Sequence, residues 1–199
     1  NTPHTAHLPP AVARFVLRSA AHANAGGSRR TREMLAALRE AAQAYRAPGD
    51  AAVCRHVDHH FLKPLVGAMV AARPLAPAMA NAVRALRLHV AGLPPDVSEH
   101  GAVASLTSFI DAFVANRLDA AAQLIVEHGL SKIGNGDVVL TYGYSSVVAR
   151  LLRAAAAASV QFRAIVVDGR PALGSPSEGA RMLAELADAG VPCTFAAVS

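Results

Sequence analysis

Residues Asp137 to Leu152 have the sequence DVVLTYGYSSVVARLL, and this stretch decides the fold that we predict. Its apolar run has the length of a strand and ends at Tyr142 and Gly143, after which two serines precede a pattern of helical period. The alternation continues with FRAIVVDG, SPSEGARMLAELADAG and PCTFAAV, which predict a strand, a helix and a strand. This order is typical of the start of a parallel, doubly wound sheet, whose strands are buried on both faces.

The residues before this stretch show helical periodicity. The segment from Thr31 to Pro48 should end at Pro48-Gly49, and its apolar stripe consists of Met34, Leu35, Leu38, Ala42 and Tyr45. Further helices are predicted at about 51–72, disturbed at Pro64, at about 77–91 and at about 102–132. The predicted fold class is therefore α + α/β, with an N-terminal helical domain at 1–133 and the first part of a Rossmann-like sheet domain at 134–199.

Local signals refine the sheet half. The GNG of Gly134 to Gly136 precedes a strand and has Val139 at its sixth position, which excludes a dinucleotide fingerprint and favours a turn into the strand. Ser175 is the predicted N-cap of the second helix, with Pro176 at its first position and Glu178 completing a capping box. The chain starts without methionine and would leave an unpaired sheet edge, so we expect a truncated fragment of a longer protein.

The composition is that of an alanine-rich helical protein. Hydrophobic residues make up 53% of the chain, while aromatic residues make up only 5% and tryptophan is absent. Charged residues such as Lys63, Arg73 and Arg153 interrupt the apolar runs before they reach the roughly 20 residues of a membrane span. The first ten residues lack the pattern of a signal peptide, so the predicted location is cytoplasmic.

The cysteines and the net charge narrow the possible partners. Cys54 and Cys193 lie far apart without a CxxC spacing, which favours reduced, buried thiols. The formal charge of +5 and the isoelectric point near 9.9 favour acidic partners, namely nucleic acid, phosphates or an acidic protein surface.

Two polar clusters lie in the helical half. In CRHVDHHF, His56 and His60 have the spacing of zinc ligands, but the glutamate of an HExxH motif is missing, so a solvated histidine face is favoured and no metal site is predicted. In AGGSRRTR, residues Arg29, Arg30 and Arg32 surround a helix start, which is compatible with a contact to phosphate or to an acidic partner, and equally with a flexible basic turn. No aromatic residue is interleaved with these arginines, so direct nucleic-acid binding is not expected.

The carboxyl edge of the predicted sheet gathers a third set of candidates: Tyr142, Gly143, Ser145, Ser146, Asp168 and Arg170. Either serine could cap the following helix or meet a phosphate, but a serine nucleophile is not indicated because the second glycine of GxSxG is absent. Asp168 could bind a sugar hydroxyl, or together with Arg170 hold the neighbouring loop and subunit contacts.

These motifs together resemble a known family. The chain is similar to the regulatory alpha, beta and delta subunits of eukaryotic translation initiation factor 2B, and to the delta branch most closely. The matching segments are GGSRRTREMLAALREAAQAYRAP, RPLAPAMANAVRAL, SFIDAFVANRLDAAAQLIVEHGLSKI, SKIGNGDVVLTYGYSSVVARLL, FRAIVVDGRP and EGARMLAELADAGVPCTF. The GSPS of Gly174 to Ser177 looks like an insertion in that pattern.

The resemblance implies that the sheet edge has lost its chemistry. The family also contains isomerases of methylthioribose 1-phosphate and ribose 1,5-bisphosphate, and the methylthioribose enzyme has a catalytic cysteine in a pattern close to LTHCN. The matching residues here are LTYGY, so Gly143 stands at the cysteine position. The resemblance therefore implies no catalytic residue and no cofactor, with the edge kept as a vestigial ligand site or as a turn facing the subunit core.

The resemblance also implies partners. The regulatory subunits assemble with the gamma and epsilon subunits, and the exchange of GDP for GTP on initiation factor 2 belongs to the epsilon subunit. The alpha, beta and delta subunits bind the alpha subunit of initiation factor 2 and sense its phosphorylation. By analogy, Arg29, Arg30 and Arg32 are candidate contacts to that factor, whereas a sugar-phosphate isomerase or a sugar-phosphate-binding relative is the alternative.

Overall fold

The structure, a computed structural model, describes residues 7–21, 26–46, 56–169 and 177–198. The chain divides into two compact units, Asn1–Leu118 and Asp119–Ser199. The first unit contains helices α1 (Pro10–Ala20), α2 (Gly27–Gln43), α3 (Lys63–Ala72), α4 (Pro77–Ala91) and α5 (Glu99–Phe113). The second contains α6 (Ala120–Leu130), β1 (Val138–Tyr142), α7 (Ser146–Ala157), β2 (Arg163–Gly169), α8 (Glu178–Asp188) and β3 (Cys193–Val198). In the described ranges, no helix is both long enough and apolar enough to cross a membrane.

The core of the first unit lies around α2, which packs against α1, α4 and α5. The predicted stripe is confirmed, because Met34, Leu35, Leu38 and Ala42 are buried and Tyr45 packs against the same core. Helix α2 ends at Gln43 rather than running on to Pro48, and just beyond its end the centre of the Tyr45 ring lies 5.1 Å from the centre of the Phe61 ring. Pro48 and Gly49 themselves lie outside the described residues.

The described residues include two π-helical segments, Val57–Leu62, which runs into α3, and Val114–Asp119, which joins α5 to α6. The first leads directly into α3, whose first turn contains Pro64. Pro64 has no N–H to donate to the residue four positions earlier, so a wider turn ahead of it avoids both the missing bond and the ring clash. The predicted disturbance at Pro64 is therefore confirmed, whereas the long helix predicted at about 102–132 is an α-π-α succession that begins at Glu99 and ends at Leu130.

The second unit is built on a three-stranded parallel sheet in the order β1-β2-β3, as predicted. The register of the sheet places Val139 of β1 beside Ala164 of β2, and Ala164 beside Cys193 of β3. Helices α7 and α8 pack on one face, where Leu152, Met182 and Leu186 are fully buried in a core that also includes Ala164 and Val166 of β2. Right-handed crossovers between successive neighbouring strands place both helices on this face.

The opposite face of the sheet differs from the prediction. Leu140 and Tyr142 of β1 are each 66% exposed, so the expectation of strands buried on both faces is wrong for β1 in this part of the chain. The apolar run of β1 indicated burial, but the described helices cover only the face of Val139 and Thr141.

The division between the two compact units falls after Leu118, which is earlier in the chain than the predicted boundary near Gly134. Helix α6 belongs to the second unit because it packs against α7, and a Cβ atom on Gly129 would lie only 2.7 Å from Leu151 Cδ2. The boundary predicted from the sequence is the point at which the hydrophobic period changes from helical to strand-like. The contacts of α6 with α7 instead place α6 in the same compact unit as the sheet.

Candidate functional site

The turn after β1 holds the residues predicted for a ligand site. Gly143 is buried with φ of +59°, a left-handed conformation that favours glycine, and its N–H donates to the Val167 carbonyl at 2.7 Å. Ser145 is the N-cap of α7 and accepts from the Val148 N–H at 3.5 Å, so the capping role expected of one serine falls to Ser145. Ser146 is exposed in the first turn of α7, and Tyr142 lies on the open face of the sheet.

Asp168 lies at the end of β2 and binds the start of α8. Its Oδ2 atom accepts from the Ser177 hydroxyl at 2.6 Å and from the Gly179 N–H at 2.7 Å. These bonds, with a further backbone bond from Gly169, hold the pKa of the Asp168 carboxyl below its ordinary value. The positive end of α8 is therefore already neutralised by the protein's own carboxylate, which stands where a phosphate would otherwise bind.

Helix α8 begins later than the sequence predicted. Its N-cap is Ser177, which accepts from the Ala180 N–H at 3.1 Å, whereas Ser175 was expected in that role. Ser177 also donates to Asp168, so the cap is selected by the contact with β2 and not by the local capping-box pattern. Ser175, Pro176 and the rest of the GSPS insertion before Ser177 lie outside the described residues, as does Arg170.

Glu178 of α8 faces Gly143 in the turn after β1. Its Oε2 atom lies 3.3 Å from the point where a Cβ atom on Gly143 would stand. The sequence predicted only a capping role for Glu178, because its approach to Gly143 depends on how α8 packs on the sheet. The described residues of this edge thus offer two carboxylates and no thiol, imidazole or amine, and Asp168 is kept ionised by its hydrogen bonds.

A second contact, which no sequence pattern predicted, joins the turn after β1 to α8. The Tyr144 hydroxyl donates to Glu185 Oε1 at 2.9 Å, and the Arg181 guanidinium carbon lies 4.0 Å from the centre of the Tyr144 ring. Burial, followed by the neighbouring Glu185 carboxylate, raises the pKa of Tyr144. The four-residue spacing of Arg181 and Glu185 was visible in the sequence, but their shared partner Tyr144 was not.

The three candidate arginines near the start of α2 have different environments. Arg29 is exposed and bonds Glu33 Oε1 through Nε at 2.8 Å, whereas Arg32 is half-buried. Arg30 is only 7% exposed, and its Nη2 atom donates to the Pro74 carbonyl at 2.9 Å. The sequence placed all three arginines at a common contact surface, but in the structure Arg30 is buried while Arg29 is exposed.

The histidines of the CRHVDHHF segment also differ in their environments. His56 hydrogen-bonds the Tyr45 hydroxyl and stacks on His60 with ring centres 4.5 Å apart, while His59 and His60 are exposed. In the parts of the chain with described coordinates, no group of three or more metal-binding side chains comes together. Of the two cysteines, Cys54 lies outside those parts, and Cys193 is a free, half-buried thiol whose pKa is raised by burial.

The net charge is concentrated in one half of the chain. Residues 1–118 contain 13 lysines and arginines against 7 aspartates and glutamates, whereas residues 119–199 contain 6 against 7. The first unit therefore has a formal charge of +6 and the second a charge of −1. Attraction of acidic partners is expected from the helical unit.

A helical unit followed by a three-stranded parallel sheet defines a protein of the α + α/β class, in which Asp168 at the carboxyl edge of the sheet bonds the start of α8. Residues 23–199 match the model of the Initiation factor 2 subunit family. The chain belongs to that family, and the resemblance predicted from its motifs is confirmed.

Individual relatives agree with this assignment. The chain is 33% identical over 199 residues to translation initiation factor eIF2B subunit delta of Schizosaccharomyces pombe, of which it spans 41%. The crystal structure of eIF2B delta from Chaetomium thermophilum is similar over 94% of this chain and 67% of its own, with 28% identity and a TM-score of 0.84. The tetrameric eIF2B-beta2-delta2 complex from the same organism contains a chain with 28% identity and a TM-score of 0.86, which matches over 94% of this chain and 59% of its own.

Proposed function

We propose that this chain is part of a non-catalytic regulatory subunit of the guanine-nucleotide exchange factor for translation initiation factor 2. The observation that carries the proposal is the likeness to the delta-subunit structure over 94% of the chain. The proposed assembly partners are the alpha, beta, gamma and epsilon subunits, and the solved beta2-delta2 tetramer supports the first step of that assembly. Translation initiation takes place in the cytoplasm, which is the location that we propose.

The helical unit is the proposed contact to the alpha subunit of initiation factor 2, including its phosphorylated form. A phosphoserine adds close to two negative charges, which a unit with a formal charge of +6 attracts. Arg29 is exposed and Arg32 is half-buried, so the proposal assigns both to the contact with this partner. Arg30 is buried beside them and bonds the Pro74 carbonyl. The sheet unit is the proposed contact to the other subunits of the exchange factor.

The first experiment is a pull-down of the full-length protein from extract of its own cells, followed by mass spectrometry. We expect to recover the other exchange-factor subunits together with initiation factor 2. A homo-oligomer that brings down none of them would contradict the proposal. A second arm compares the affinity of the purified complex for the phosphorylated and unphosphorylated alpha subunit, because sensing requires that the two differ.

The alternative function is a sugar-phosphate isomerase or sugar-phosphate-binding protein, favoured by the glycine turn at the carboxyl edge of the sheet. Gly143 supplies no nucleophile there, and Asp168 fills the start of α8. We expect no turnover of ribose 1,5-bisphosphate or methylthioribose 1-phosphate by the full-length protein. Turnover that survives in Gly143→Ala but is lost in Asp168→Asn would overturn the regulatory proposal in favour of the enzyme.

A further inference from the structure

Helices α2 and α4 begin side by side. A Cβ atom on Gly27, the first residue of α2, would lie 3.7 Å from Ala76 Cβ, and Ala76 is the N-cap of α4. Neither start has a side-chain cap, and neither first turn contains an acidic residue. The partial positive charges of two helix ends are therefore adjacent, with no counter-charge on either helix start.

Arg30 adds a buried donor at the same place. Its side chain leans toward the start of α2, as helical side chains do, and bonds the Pro74 carbonyl in the segment that leads into α4. The Nε atom of Arg30 is buried and has no hydrogen-bond partner among the described residues. A buried guanidinium donor without an acceptor is unfavourable, which points to an acceptor from outside the chain.

Arg30 has a basic neighbour. Burial, and then the positive charge of Arg73, lowers the pKa of Arg30 from its ordinary value. Arg73 is the residue directly before Pro74, so a second guanidinium belongs to the same segment. Gly27, Ser28 and Pro77 are exposed, which leaves the two helix starts open to a small ligand from solvent.

We propose that the starts of α2 and α4, together with Arg30, form a binding site for the dianion of a phosphate or phosphate monoester. The N–H groups of Gly27 and Ser28 and the Ser28 hydroxyl supply donors from the helix start. Arg30 supplies its unpartnered Nε atom in a guanidinium whose geometry suits phosphate oxygens. A phosphoserine of a partner protein and a free phosphate ester share this chemistry, and only the first of these rests on the function proposed above.

The test is isothermal titration calorimetry of the full chain with inorganic phosphate. Ser28→Asp places a carboxylate at the start of α2, which stabilises the helix and competes with the ligand, so we expect about tenfold weaker binding or none. Ala36→Asp is the matched control, because it adds the same charge to an exposed position of α2 away from the helix start. Arg30→Lys keeps the charge but removes the Nε donor, and we expect a loss of about tenfold as well.

The site would be established by saturable phosphate binding that is abolished in Ser28→Asp but stays within about twofold of the wild-type affinity in Ala36→Asp. The expected loss of about tenfold in Ser28→Asp is large enough to be distinguished from such a change. The absence of saturable binding, or equal loss in Ser28→Asp and Ala36→Asp, would overturn it. Ser28→Asp keeps the test valid if Arg30→Lys fails to fold, because Ser28 is exposed.

A second titration with a phosphoserine peptide distinguishes the two sources of phosphate. Tighter binding of the peptide assigns the ligand to a partner protein, whereas binding of inorganic phosphate alone assigns it to a free ester. The pull-down tests the proposed function without reference to this site, so either proposal can fail while the other stands.

Discussion

At the scale of single residues, glycines set how closely α8 approaches the sheet. A Cβ atom on Gly179 would lie 2.8 Å from Asp168 Cβ and 3.0 Å from Phe195 Cε2, so no larger residue fits there without movement of the chain. The Cβ atom of Asp168 is fixed to the strand backbone and cannot turn away. Gly179 therefore permits the short contact through which its own N–H reaches Asp168.

Replacement of Gly179 by alanine tests this contact. We expect Gly179→Ala to lower the free energy of unfolding by about 1–3 kcal/mol, because the helix must shift away from β2 and β3. Gly67→Ala is the control: Gly67 is exposed inside α3 with nothing within 4 Å of its Cβ position, so alanine should stabilise by about 0.5–1 kcal/mol. Denaturant unfolding measures both, and equal stabilisation by the two changes would contradict the close approach.

At the scale of secondary-structure elements, hydrogen bonds from the strand ends and turns fix α8. Asp168 bonds the first turn of α8 from the end of β2, and Tyr144 bonds Glu185 from the turn after β1. The two contacts lie one and a half to two turns apart on the helix, so they fix its rotation as well as its position. A phosphate that displaced Asp168 would have to break the first of them.

The Asp168 contact predicts how stability depends on pH. Its folded pKa is lowered, so the carboxylate contributes stability above the ordinary aspartate pKa of about 4, and that contribution is lost as the pH falls through the folded value. We expect Asp168→Asn to cost about 1 kcal/mol at neutral pH, where the charged cap is lost, and progressively less in acid. Unfolding by urea at several pH values measures the difference.

The control for this experiment is Asp188→Asn. Asp188 is exposed at the other end of α8, and its side chain has no hydrogen bond or ion pair to another described residue. Its replacement should change the free energy of unfolding by less than about 0.5 kcal/mol. A cost of Asp168→Asn that stays constant from neutral pH into acid would show that the hydrogen bonds of Asp168 do not depend on its charge.

At the scale of the whole molecule, the two units differ in charge. The helical unit has a formal charge of +6, and the unit with the sheet has a charge of −1. Several of the basic side chains are already paired across helices, as Arg14 is with Glu40 and Arg39 with Asp111. The remaining positive charge attracts a partner with an acidic or phosphorylated surface. This attraction extends only about 10 Å from the protein at moderate salt concentration.

This asymmetry predicts a salt dependence for the proposed partner. The affinity of the full-length protein, in its complex, for the phosphorylated alpha subunit of initiation factor 2 should fall as ionic strength rises from about 0.05 M to 0.5 M. The fall should appear mainly in the association rate, since long-range attraction steers the encounter. Biolayer interferometry at several salt concentrations measures both rates, and an association rate that does not change with salt would contradict the prediction.

Prediction from sequence succeeded where the signal was local. The period of hydrophobic residues predicted the apolar stripe that α2 buries at Met34, Leu35, Leu38 and Ala42, and the alternation after Asp137 predicted the parallel sheet. Ser145 was among the expected caps because a serine before a helical pattern is itself the signal. The motifs were also sufficient to predict the family, to which the match over residues 23–199 assigns the chain.

The tertiary structure decided what depends on residues distant in the sequence. Ser177, the N-cap of α8, bonds Asp168 at the end of β2, and the buried Arg30 bonds the Pro74 carbonyl. The exposed face of β1, with Leu140 and Tyr142, is as apolar in sequence as the face that packs against α7 and α8. Only the positions of those helices decide which face is buried. The sequence by itself thus determined the elements and the family, because those follow from local periodicity and motif spacing. Burial and hydrogen-bond partners depend on packing between segments, which no local pattern contains.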